Sequence, residues 1–234
     1  SLNATVSGSN ISFGHDGAYF DNDTAVGTNV SYMNIDDFTF PSSTGDALSI
    51  EFYIKHETLS GHYSKVFEFA NGAGVNTIFF QKSADTSNYE FRVYGTNASS
   101  ATTNNSLMHN SVSTGEWIHY VVTIGPSSSR GIKLYVNGLL HTSEGASTAV
   151  SINSLERMNH YFSRSGWTGT EGGTQTNVSG VDGWMAYFRM WDGTALSADE
   201  VKTLYEDRLF PRIGSSAWTE NGIGWTQNVQ FNAI

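Results

Sequence analysis

The stretch from residue 116 to 141 leaves this chain little choice of fold class. Glu116-Trp-Ile-His-Tyr-Val-Val-Thr-Ile124 is a strand-length run of aromatic and β-branched residues. Gly125-Pro-Ser-Ser-Ser-Arg-Gly131 can only be a loop, and Ile132, Leu134 and Val136 then share one face of a second strand. Asn137-Gly138 separates that strand from Leu139-Leu-His141. Asn-Gly between apolar runs predicts a tight hairpin, because both turn residues must take positive φ.

The same two-residue period recurs along the chain. Strands are predicted at 47–54, 65–69, 77–81, 89–94 and 184–191, bounded by turns such as Asn71-Gly-Ala-Gly74 and Asp182-Gly183. The period changes once. Ser197-Ala-Asp-Glu200 reads as a capping box, and Val201, Leu204 and Tyr205 follow at helical spacing. The expectation is an all-β sandwich closed by one short C-terminal helix. With 24 Gly, 3 Pro and no linker or internal repeat among 234 residues, one domain over 1–207 suffices. Residues 208–234, with Trp218, Trp225 and Phe231, form a tail expected to pack on the domain or to pair with a neighbouring chain as an oligomer contact.

Charge narrows the partners. The net charge is −10, with 12 Lys plus Arg against 22 Asp plus Glu and no basic run. That argues against nucleic acid and anionic membrane. No apolar run approaches the ~18 residues of a membrane span. With no cysteine, redox chemistry does not report the compartment. Ser1 in place of an initiator Met suggests a piece of something longer. Sequons occur at Asn3, Asn10, Asn22, Asn29, Asn97, Asn104 and Asn177, where chance alone gives roughly four, so glycosylation carries little weight.

Three ordered stretches resemble the laminin-G-like members of the concanavalin-A-like lectin/glucanase superfamily. Gly45-Asp-Ala-Leu-Ser-Ile-Glu-Phe-Tyr-Ile-Lys55 is similar to the family's early strand. Ser113-Thr-Gly-Glu-Trp-Ile-His-Tyr-Val-Val-Thr123 with Ile132-Lys-Leu-Tyr-Val-Asn-Gly138 matches its central hairpin. Gly183-Trp-Met-Ala-Tyr-Phe-Arg-Met-Trp191 and the capped helix match its closing unit. Order and spacing agree from about residue 10 to 207. The resemblance implies a concanavalin-A-like jelly-roll sandwich of two antiparallel sheets. It does not imply one function, since the superfamily holds lectins, adhesion domains and polysaccharide-degrading enzymes.

The chemistry-bearing residues favour binding. A jelly-roll glycosidase needs two carboxylates flanking the bond, on one strand at i and i+2 or i+4. No such segment occurs; Glu68 stands alone in its strand, and Asp199 and Glu200 belong to a helix cap. Gly-x-Ser-x-Gly, His-Glu-x-x-His and a P-loop are missing, and the 7 His show no metal-ligand spacing. His119 is expected to make a structural hydrogen bond, and Trp117, Trp184 and Trp191 are expected in the core.

Two candidate sites remain. Calcium takes oxygen ligands at loop junctions. Asp21, Asp23 and Asp182, with Asp16 as a further choice, could supply them structurally. The resemblance's own acidic calcium position falls within Met185-Ala186-Tyr187 and is lost. For a glycan, aromatic and polar residues in loops are the signal. Gly61-His-Tyr-Ser64 and Tyr161-Phe-Ser-Arg-Ser-Gly-Trp167, followed by 168–174, nominate His62, Tyr63, Arg164 and Trp167 as ligand-binding. The favoured expectation is a non-catalytic glycan- or cell-surface-receptor-binding module of an extracellular, cell-surface or virion-surface protein. Two alternatives stay open: a structural or assembly module of a virion or fibre, and a diverged polysaccharide lyase or hydrolase.

Overall fold

The computed structural model describes residues 4–7, 11–14, 17–22, 30–83, 86–94, 105–126, 131–144, 152–167 and 178–207. The tail at 208–234, the segment 168–174, and Asp16 and Asp23 lie outside the described residues.

The strands are β1 (Ala4–Ser7), β2 (Ile11–Gly14), β3 (Gly17–Phe20), β4 (Tyr32–Ile35), β5 (Phe38–Phe40), β6 (Leu48–His56), β7 (His62–Ala70), β8 (Ile78–Lys82) and β9 (Tyr89–Val93). They continue as β10 (Asn105–His109), β11 (Trp117–Ile124), β12 (Ile132–Val136), β13 (Leu139–Glu144), β14 (Leu155–Arg157), β15 (Asn159–Phe162), β16 (Val178–Gly180) and β17 (Gly183–Asp192), before helix α1 (Ala198–Glu206). One sheet runs β1-β4-β15-β7-β8-β9-β10, with β16 also on β7; the other runs β13-β12-β11-β6-β17-β3-β2. A small ribbon pairs β14 with β5. Pairing is antiparallel throughout except β16 on β7, which is parallel. The two-sheet sandwich is as expected; the ribbon and the parallel pair are additions.

Alternation built the core. Leu48, Ile50, Phe52 and Ile54 of β6 point inward, and each is buried. Phe52 is the hub: its ring lies 4.9 Å from Phe80, 5.2 Å from Tyr120 and 5.5 Å from Phe67, joining both sheets. Burying a Phe of this kind contributes about 1.5–3 kcal/mol. The strands that sequence reading missed, β1 to β5, β10 and β14 to β16, have five residues or fewer. All but β10 have four residues or fewer, too few alternations to read.

The 137–138 turn forms as expected, with φ of 50° at Asn137 and 79° at Gly138. A Cβ at Gly138 would also come within 2.9 Å of the Tyr205 side chain, so α1 presses on the hairpin. The capping box is present: Ser197 Oγ accepts from Glu200 N, and Ser197 N donates to Glu200 Oε2. Val201 of α1 is buried against Val121 and Tyr135 on the outer face of the seven-stranded sheet.

Two expectations follow. Gly138→Ala adds a Cβ at positive φ and against Tyr205, so unfolding free energy should fall by at least about 1–2 kcal/mol in urea titration. Burial also lowers three histidines, His56 to about 3 and His109 and His160 to about 4, from an ordinary value of 6.5. Between pH 6.5 and about 4 the unfolded chain therefore binds protons that the folded one refuses. Their contribution is complete above pH 6.5 and is lost as pH falls towards 4. His160→Gln should flatten the measured stability-versus-pH slope in that window; an unchanged slope would exclude His160 as a cause.

Candidate functional site

Strand β7 has two different partners on one edge. Its C-terminal half pairs with β15, from Asn159↔Ala70 to Phe162↔Phe67. Its N-terminal half pairs with β16, at Val178↔His62 and Gly180↔Lys65. Between them Ser163 takes φ of 63° and turns the chain off the sheet edge. Asn22 holds the turn. Its Nδ2 donates to Ser163 Oγ at 2.8 Å, Ser31 O at 2.9 Å and Val181 O at 3.0 Å, and its Oδ1 accepts from Ser31 N. Asn22 is 3% exposed with its amide fully spent, so this sequon serves structure. The other six sequons lie outside the described residues.

The expelled segment folds onto the sheet's outer face, where Glu68 captures it. Glu68 accepts from Gly166 N at 2.7 Å and from Ser165 Oγ at 3.2 Å. A Cβ at Gly166 would lie 2.7 Å from Glu68 Oε1, so only glycine allows the carboxylate this close. Lys65 Nζ lies 3.6 Å from Glu68 Oε2, bonds Gln81 Oε1 and sits 4.1 Å above the Phe79 ring. Both side chains are almost wholly buried. Burial pushes the Lys65 ammonium down and the Glu68 carboxyl up, each towards its neutral form.

This floor carries a pocket of about 180 Å³ lined by Tyr63, Lys65, Phe79, Gln81, Ser83, Glu90, Arg92, Tyr94 and Trp167. Glu90 accepts from Gln81 Nε2 at 2.6 Å and Arg92 Nε at 2.8 Å, and Arg92 Nη1 donates to Tyr94 OH at 2.9 Å. Burial lowers Arg92, but Glu90 and Tyr94 outweigh it and hold the guanidinium above its ordinary value. Tyr63 is a non-glycine residue at φ of 52°. Such strain persists only where the surroundings enforce it, and it clusters at functional sites. The indole N–H of Trp167 is shut off from solvent with no hydrogen-bond partner among the described residues.

The four nominated ligand residues therefore divide. Tyr63 and Trp167 share the pocket. His62 packs its ring edge-on against Tyr63 at 4.4 Å and opens β7 rather than sitting in a loop. Arg164 is buried away from the pocket, stacked 4.4 Å from Tyr32 and 4.7 Å from Tyr161. Sequence reading missed Lys65, Gln81, Glu90 and Arg92. Their outward positions on β7, β8 and β9 were readable from alternation, but their convergence was not.

The opposite sheet's outer face holds two further constellations. Glu51, wholly buried, accepts from Arg189 Nε at 2.6 Å, Arg189 Nη2 at 2.8 Å and Tyr187 OH at 3.2 Å, with His119 Nε2 at 2.9 Å. Burial raises its pKa, yet the His119 and Arg189 bonds prevail and lower it. His119 is structural, as expected. Trp117 and Trp184 stand half-buried on this outer face and not in the main core; Trp191 packs beside α1. Tyr53 stacks on Trp117 at 5.1 Å and on Tyr187 at 5.8 Å. These rings spend their faces on each other, which leaves little face for a sugar.

For calcium, Asp21 and Asp182 line one open pocket with Glu57, Tyr19, Thr58 and Trp184. Tyr19 OH donates to Asp182 Oδ1 at 3.4 Å, and burial followed by the neighbouring carboxylates pushes Tyr19 up to about 12. Among the described residues no three His, Cys, Asp or Glu side chains group closely enough to hold a metal ion. The family's acidic position is Ala186, 1% exposed in a bulge of β17 and packed with Tyr53.

Comparison with known proteins agrees with this architecture. Residues 27–202 match the Laminin_G_3 family model, described as the Concanavalin A-like lectin/glucanases superfamily. No curated protein matches the sequence. Among solved structures, the botulinum neurotoxin serotype G binding domain aligns at 18% identity and TM-score 0.60, covering 87% of this chain and 46% of that one. Botulinum neurotoxin type C, whose cell entry depends on two ganglioside molecules, aligns at 11% identity and TM-score 0.61, covering 88% and 46%. The serotype D ligand-binding domain, solved with N-acetylneuraminic acid, aligns at 16% identity and TM-score 0.58, covering 88% and 47%. The chain thus spans a little under half of each, and the likeness is one of fold.

Glu68→Ala should release the 165–167 segment and leave Lys65 buried without its counter-ion. A loss of about 3–5 kcal/mol in chemical denaturation is expected. A loss below 1 kcal/mol would mean the carboxylate does not hold the segment. By its sequence match over most of the chain and by its two-sheet sandwich, this chain belongs to the Concanavalin A-like lectin/glucanases superfamily.

Proposed function

We propose that this chain is a non-catalytic carbohydrate-binding module that engages a cell-surface glycan in the pocket between Tyr63 and Trp167. The observation that carries this reading is the pocket itself. Aromatic residues rim it, and its floor is a set of polar side chains already held in place by one another. Sugar rings offer C–H faces to aromatics and hydroxyls to polar groups.

The carboxylates support binding over hydrolysis. A retaining or inverting glycosidase presents one acid and one base to the glycosidic bond. Glu68 is spent on Gly166, Ser165 and Lys65, and Glu90 on Gln81 and Arg92. Family membership and the ganglioside- and sialic-acid-binding toxin domains that share the fold lend the reading further support. A surface glycan partner would place the protein outside the cell or on a virion.

A glycan array probed with wild type, Trp167→Ala and Tyr63→Ala tests this. Wild type should retain glycans, and each variant should lose roughly tenfold in affinity, or about 1.4 kcal/mol. Retention of no glycan by folded wild type would overturn the reading. Shortened glycans after prolonged incubation would overturn its non-catalytic part.

A further inference from the structure

We infer that this pocket selects neutral sugars and discriminates against sugars carrying a carboxylate, such as sialic or uronic acids. The inference rests on the carbohydrate reading above and names its ligand class. A sugar carboxylate is held by a guanidinium or ammonium whose donors are still available. The described lining holds two cations, Lys65 and Arg92, and each is committed to a protein anion. Lys65 bonds Gln81 and neighbours Glu68 at 3.6 Å, and its remaining side covers Phe79. Arg92 gives Nε to Glu90 at 2.8 Å and Nη1 to Tyr94.

The floor therefore carries no net charge: Lys65 and Glu68 offset each other whether both are charged or both neutral, and Arg92 is paired with Glu90. A ligand carboxylate reaching the remaining Arg92 donors would meet Glu90, itself 1% exposed, across the same guanidinium. It would lose water and gain a like charge as neighbour, with no uncommitted cation in return. The chain's net charge of −10 adds repulsion at longer range. What the pocket does offer suits a neutral ring: the Tyr63 and Trp167 rings and the Tyr94 and Ser83 hydroxyls. The sialic acid bound by the serotype D toxin domain is not at odds with this, because that likeness is one of backbone fold at 16% identity.

The test is calorimetry on matched pairs differing by one carboxylate: lactose with sialyllactose, and xylobiose with its glucuronylated form, together with the pairs an array identifies. The neutral member should bind at least about tenfold more tightly to wild type. Glu90→Gln removes the competing anion, keeps an amide able to accept from Arg92, and should narrow that ratio by about tenfold. Should Glu90→Gln unfold, salt dependence in wild type gives the same readout. Screening should improve binding of the acidic member and leave the neutral one unchanged. Tighter binding of the acidic members, or acidic binding weakened by salt, overturns the selectivity while the carbohydrate reading stands. Binding of no member of any pair overturns both.

Discussion

The carboxylate of Glu68 is the interaction on which the site depends. It stands in the C-terminal half of β7, wholly buried on the sheet's outer face, where an unpaired charge would be costly. Two donors from the 165–166 turn and the Lys65 ammonium satisfy it. The same contacts that make the acid tolerable inside also bring Trp167 over the sheet. Through Lys65 the chain of bonds continues to Gln81, Glu90 and Arg92, so the pocket floor is one connected polar network. Such networks are rigid when every member is satisfied and fragile when one is removed.

The backbone creates the room for this network. β15 gives way to β16 along a single edge of β7, and Ser163 at positive φ makes the break. Asn22 braces the break with three donated bonds and one accepted bond, at the end of a strand that belongs to the opposite sheet. The site thus sits where the ladder is interrupted, beside a sandwich whose core is otherwise continuous.

The opposite outer face shows how similar residues reach another outcome. There Glu51 binds Arg189, Tyr187 and His119, while Tyr53, Trp117 and Tyr187 stack on one another. Aromatic content alone marks both faces. The geometry separates them: Tyr63 and Trp167 border a cavity, and the Tyr53 row fills its own space.

The sequence by itself determined the sandwich, the 137–138 turn, the capped helix and the family, because these rest on local periodicity and on turn and cap chemistry that neighbours in the chain decide. It nominated Tyr63 and Trp167 from loop composition. It could not sort them from Arg164, because only tertiary packing placed Arg164 between Tyr32 and Tyr161. It read Glu68 as isolated, since its partners lie a few residues away across a bulge and nearly a hundred residues along the chain. It likewise put Trp117 and Trp184 in the core, where alternation reads the same for an inner face and a covered outer one. Whether an aromatic packs or binds depends on what stands opposite its ring, and that is a property of the fold.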